Sequence, residues 1–174
     1  MKRYSLVFFL VGSLVMIFVL TKTGEPLKTP STPAGIINLE LAFTQAKTET
    51  VINTWATINS TDTLAAARLN TWLDFIFIFF YSGLLFLSSK MITRTFAGAF
   101  GRAGRLVARA AILAGILDVL ENTGMLLSLA GQGSAFISLA TGICSAIKWG
   151  LALIAVLYVI TGVVGMLRSG ISNR

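Results

Sequence analysis

Apolar residues in this chain come in blocks about as long as a bilayer is thick, separated by short polar stretches. A membrane-spanning helix needs about 20 mostly apolar residues. Residues 4–21, opening "YSLVFFLVGSLVMIFVL", just reach that length behind Lys2 and Arg3. The "TKTGEP" that follows makes a poor small-x-small cleavage site, so a retained first span is expected rather than a signal peptide. Pro26, Pro30 and Pro33 then predict an extended linker. Beyond it, Val51, Ile52, Trp55 and Ile58 recur at helical spacing. Residues 22–60 therefore read as an extracytoplasmic linker and a helix lying at the interface, with Glu40 turned to water.

Ser60, Thr61 and Asp62 offer a helix N-cap ahead of a second span at 69–90, with Trp72 near the interface. Residues 91–105 are basic and Gly-rich. Gly98, Gly101 and Gly104 match neither a dinucleotide fingerprint nor a P-loop, so a cytoplasmic turn is expected. A third span at 106–130, a reversal at "GQGS" and a fourth span at 135–167 complete the chain. At 1.5 Å per residue the last span is ~50 Å long and must tilt or project. The expected fold is an all-α integral membrane protein forming one domain over 1–174. It is a four-transmembrane-helix bundle with an additional extracytoplasmic interfacial helix.

Composition strengthens this reading. The chain is 55% hydrophobic and 12% charged, with a mean hydropathy of +0.82, where soluble domains carry about 25% charged residues. The net charge of +7 would suit a nucleic-acid binder, but its distribution does not. Arg94, Arg102, Arg105 and Arg109 fall between two apolar blocks, and Lys2, Arg3, Arg168 and Arg174 lie at the ends. Basic residues flanking spans mark the cytoplasmic side. Both termini are thus expected inside, in a bacterial inner (plasma) membrane, with no nucleic-acid partner. A single cysteine, Cys144, and the absence of histidine exclude an internal disulfide, a CxxC motif and every Ser–His or Cys–His pair.

The unusual chemistry lies inside the apolar blocks. "GILDVLEN" places Asp118, Glu121 and Asn122 in the third span, where i, i+3 and i, i+4 spacing puts them on one helix face. Counting the helical rise from each span's middle brings Asp74, Glu121, Asn122 and Lys148 into one layer of the outer half of the membrane, with Asp118 just below. Tyr81 and Trp149 are close in height. Gly115, one turn below Asp118, would admit a neighbouring helix. A charge at mid-membrane costs about 2.5–3.5 kcal/mol on insertion scales, so these faces must turn toward each other or toward water.

Several uses of such a seam are open. Lys148 can pair with Glu121 or Asp118 in a purely structural network. Three acids to one base also leave room for a protonated carboxyl, or for a ligand that completes the site. The leading expectation is that Asp74, Tyr81, Asp118, Glu121, Asn122, Lys148 and Trp149 bind a lipid-like ligand or serve a membrane complex. The alternative is an intramembrane enzyme using Asp74, Asp118 and Glu121 as acid–base groups on an apolar substrate. A hard-metal site is disfavoured by Lys148 at the same depth, and no metal or cofactor is expected. Membrane lipids are the expected partners, with other membrane subunits or a second copy as further candidates. Ala146 and Gly150 form a small-x₃-small pair suited to helix packing. Ser82, Ser88 and Ser89 have no nearby base, and Cys144 reads as a buried filler.

Overall fold

The computed structural model describes residues 3–172, less the side chains of 3, 59–61 and 169–172. Among the described residues the chain is almost wholly helical and contains no strand. Helix α1 covers Arg3–Gly24, and a short 3-10 turn follows at Glu25–Leu27. The single turn α2 is Ile37–Glu40, and α3 is Gln45–Thr95. Helix α4 is Gly98–Leu127, and α5 is Ala135–Ser172. Three helical stretches, Tyr4–Leu27, Asp62–Thr95 and Ala135–Arg168, are long and apolar enough to cross a membrane. The chain thus has the make-up of an integral membrane protein.

The break expected at residues 60–62 does not occur. The side chains of Ser60 and Thr61 lie outside the described residues, but the backbone runs through them as helix, so α3 is 51 residues long. No proline lies between residues 45 and 95, and isolated Ser, Thr or Asp lowers helix propensity too little to end a helix packed along its length. The cap is instead Thr44, whose side chain accepts from the Lys47 N–H at 3.4 Å. Residues 45–58 are therefore the first turns of α3, and between the 3-10 turn and α3 only α2 is helical.

The proline-containing linker also differs from expectation, being folded rather than extended. Thr32 is buried, and its Oγ1 donates to Leu27 O at 2.8 Å. Trp55 Nε1 donates to the same carbonyl at 3.0 Å. Around this knot Leu27, Leu39, Val51, Trp55, Ala67, Met125 and Leu129 form one apolar cluster. Residues 25–44 thus make a packed cap over one end of the helices.

At the other end the expected basic loop is mostly helix, with only Phe96 and Ala97 outside α3 and α4. Gly98 takes φ 76°, a conformation glycine adopts without penalty, and this lets the chain reverse within two residues. Arg102, Arg105 and Arg109 are exposed on one face of α4.

Helix α4 is the centre of the bundle and packs on both α3 and α5. Its buried positions include Gly101, Gly104, Ala108, Ala111, Gly115, Asp118, Asn122 and Met125. They alternate in steps of three and four, as a packed helical seam requires. Small residues fill the half near α4's start and polar ones the half near its end. At Gly115 an added Cβ would lie 3.1 Å from Ser82 Cβ, so α3 and α4 approach closely there.

Helix α1 packs along α3 and makes no extended contact with α4 or α5. Two reciprocal insertions hold it: Phe80 sits over Gly12, and Phe9 over Gly83. Asn70 Nδ2 completes the attachment by donating to Leu20 O at 2.9 Å and Thr23 Oγ1 at 2.7 Å. Replacing Gly83 with Leu should force these helices apart, with a loss of about 1–3 kcal/mol for overpacking. A thermal melt in detergent measures it, and an unchanged midpoint would contradict the interlock.

Candidate functional site

Of the acids expected near one layer, Asp118 and Glu121 meet at Lys148, while Asp74 is tied to Asn122. The position of Lys148 on α5 follows Ser138, Thr141 and Ser145 on a single buried stripe facing α4. Lys148 Nζ lies 2.6 Å from Asp118 Oδ1 and 2.9 Å from Glu121 Oε1. Tyr81 OH, from α3, donates to Asp118 Oδ2 at 2.8 Å. Asn122 Nδ2 donates to Asp74 Oδ2 at 2.8 Å, linking α4 to α3 a second time. Lys148 is 7% exposed, and Glu121 and Asn122 are 0% exposed. Three helices are thus tied at one level by charge-assisted hydrogen bonds, which are stronger than neutral ones.

A fourth carboxylate belongs to the cluster. Glu40 was expected to point to water, yet it is 7% exposed, with Oε2 3.6 Å from Lys148 Nζ. Trp149 Nε1 donates to Glu40 Oε2 at 3.1 Å, and Ser145 Oγ at 3.4 Å. The cause is the folded cap. Leu39 inserts into the cap cluster, and the turn that buries it carries Glu40 down onto α5. An acid set within "INLELAF" was the available signal, since a solvent-facing helix rarely offers so apolar a context.

Trp149 enters the site through its hydrogen bond to Glu40 and the contact of its ring with Lys148. Its ring is half-exposed, with Lys148 Nζ 5.7 Å from the ring centroid. Cys144 is free and partly buried, with no hydrogen bond to the cluster. Ser82 Oγ donates to the Ile78 carbonyl of its own helix at 2.6 Å, and Ser89 Oγ is buried without a partner among the described residues. Ala146 and Gly150 lie on the exposed side of α5. Among the described residues no group of three or more His, Cys, Asp or Glu side chains is arranged to hold a metal ion.

Beside the cluster lies a half-open cavity of about 570 Å³. Its walls come from α1 (Ile17, Leu20), from the cap (Ile36, Ile37) and from the facing sides of α3 and α5 (Phe77, Leu84, Val156). Its polar end is lined by Asp74, Tyr81, Asp118, Asn122 and Lys148, with Glu40 and Trp149 beneath the cap. Because α1 is fastened to α3 only, the space between α1 and α5 is not filled by side-chain packing. That gap produces the cavity. Its volume lies within the range of about 300–1,000 Å³ typical of small-molecule sites, and apolar walls with a few converging polar groups are their usual make-up.

Two buried acceptors in this region lack partners among the described residues: Glu121 Oε2 and Asn122 Oδ1. Buried polar atoms are nearly always paired, so both are notable. Comparison of the chain with protein-family models, with curated proteins and with solved structures finds no match.

Proposed function

We propose that this protein binds a lipid-like amphiphile in the outer half of a bacterial plasma membrane, its chain between α1 and α5 and its polar head at the carboxylate–lysine cluster. The observation that carries the reading is the cavity. Its lining is mostly apolar and includes Asp74, Asp118, Asn122 and Lys148. A purely structural network would close on itself and leave no such void.

In this reading α4 is a fourth span, since it runs between α3 and α5 and is flanked by them along its length. Lys90, Arg94, Arg102, Arg105 and Arg109 gather at the α3–α4 connection, which supports a cytoplasmic position for that end and for both termini. The cap and the first turns of α3 then stand on the opposite face, as an interfacial layer over the cavity. Membrane lipids are the source of the ligand.

Replacing Ala152, which lines the cavity on α5, with Trp tests this proposal. The indole should occupy the chain site while leaving the hydrogen-bonded cluster intact. Native mass spectrometry of protein taken from membranes should show a co-purifying amphiphile on the wild type and not on Ala152→Trp, with similar thermal midpoints. Equal occupancy in both would sink the assignment of the ligand to this cavity.

One observation favours a second reading, acid–base catalysis on an apolar substrate. Tyr81, Asp118, Lys148 and Glu121 form a continuous hydrogen-bonded chain, of the kind that can pass a proton. Chemical alteration of an added amphiphile, lost in Asp118→Asn with binding retained, would establish it.

A further inference from the structure

We infer that the polar end of the cavity is an ammonium subsite, in which Asp74 and Asn122 Oδ1 receive the primary amine head of a long-chain amphiphile. This deepens the amphiphile-binding reading and rests on it. The argument is an account of donors and acceptors. Lys148 directs its ammonium to Asp118, Glu121 and Glu40, at 2.6, 2.9 and 3.6 Å. Tyr81 OH is used by Asp118, and Trp149 Nε1 by Glu40. The hydroxyls of Ser13 and Thr71 turn back to their own helix carbonyls, Phe9 O and Ala67 O. Asn70 Nδ2 is held by Leu20 O and Thr23.

Among the buried side chains at this end no donor is therefore left over, while acceptors are; the other cation that lines the cavity, Lys28, is exposed on the cap. Asn122 lines the cavity and is 0% exposed, yet its Oδ1 has no partner. The opposite orientation of its amide would set Oδ1 against Asp74 Oδ2, two acceptors together, so Oδ1 is the free atom. Asp74 also lines the cavity, and its hydrogen bond comes from Asn122 Nδ2. A head group that completes this end must donate, which excludes carboxylate and phosphate oxygens.

Charge then separates amine from hydroxyl. Glu40, Asp118 and Glu121 share Lys148, and Asp74, held by Asn122, is the acid that Lys148 does not touch. A cationic donor matches that excess; a neutral one does not. Away from water the difference between the two is amplified, because the field of an unpaired carboxylate is poorly screened there.

The test measures equilibrium binding of radiolabelled dodecylamine and dodecanol to the full chain in lipid nanodiscs, with empty nanodiscs subtracted and dodecanoate as competitor. Dodecylamine should bind saturably, about ten-fold or more tightly than dodecanol, as a charge-assisted hydrogen bond implies. Dodecanoate should not compete. Asp74→Asn should abolish the preference for amine, so that amine and alcohol bind about equally. If that variant does not fold, the ranking of head groups on the wild type still decides. Equal binding of amine and alcohol overturns the ammonium subsite and leaves the cavity reading standing. Saturable binding of neither overturns both.

Discussion

Lys148→Met should be among the most damaging single substitutions in this protein. The lysine is the common partner of Asp118, Glu121 and Glu40, and all three carboxylates are buried. Removing one member of a buried ion pair is destabilising by about 3–5 kcal/mol, because the remaining charge is left desolvated and uncompensated. Here one deletion leaves three. The expected outcome is a protein that inserts into the membrane but melts far below the wild type in mild detergent.

The penalty should be reversible by design. Adding Glu40→Gln, Asp118→Asn and Glu121→Gln to Lys148→Met replaces all three charges with neutral hydrogen-bonding groups of nearly the same shape, and most of the lost stability should return. A wild-type melting temperature for Lys148→Met alone would show that the cluster does not hold the bundle together.

Trp55→Ala should be the second large loss, acting on the cap rather than on the spans. The Trp55 side chain is 0% exposed at the centre of the cap cluster. Its Nε1 reaches both Leu27 O, at 3.0 Å, and Thr32 Oγ1, at 3.2 Å. Truncating a buried aromatic costs about 3–5 kcal/mol through lost contacts and the cavity left behind. The loss should fall on residues 25–44, which wrap around this side chain. Trypsin cleavage after the exposed Lys28 should therefore accelerate while the helix content measured by circular dichroism changes little. Trp55→Phe should retain much of the packing and lose about 1 kcal/mol with the N–H. Unchanged cleavage in Trp55→Ala would mean that the cap is held by something else. Because Glu40 reaches Lys148 only through the cap, Trp55→Ala should also loosen the carboxylate cluster.

The parts of this architecture legible in the sequence are those set by local patterns. The 3.6-residue period places Asp118, Glu121 and Asn122 on one face, and the helical rise alone brings Asp74, Lys148 and Tyr81 to their level. Those residues do meet, in the pairs Lys148–Asp118, Lys148–Glu121, Tyr81–Asp118 and Asn122–Asp74. What was not legible depends on tertiary packing. The Ser60–Asp62 cap signal is overridden because α3 is supported along its length by α1, α4 and the cap. Glu40 joins the cluster because a knot at Leu27, Thr32 and Trp55 folds residues that prolines alone would extend. The 570 Å³ cavity arises from the attachment of α1 to α3 only, and neither periodicity nor composition encodes which helix a span chooses.

A brominated amphiphile offers the most direct test of the central claim, that an amphiphile lies between α1 and α5 with its head at the cluster. Crystals of the full chain grown with 12-bromododecylamine would report the end of the chain by anomalous scattering. The account predicts a bromine peak inside the cavity near Leu84, Leu85 and Val156, with the amine at Asp74 and Asn122. Bromine found only on the outer surface, such as the shallow apolar groove at Tyr4, Phe8 and Val11 of α1, with the cavity empty, would contradict it.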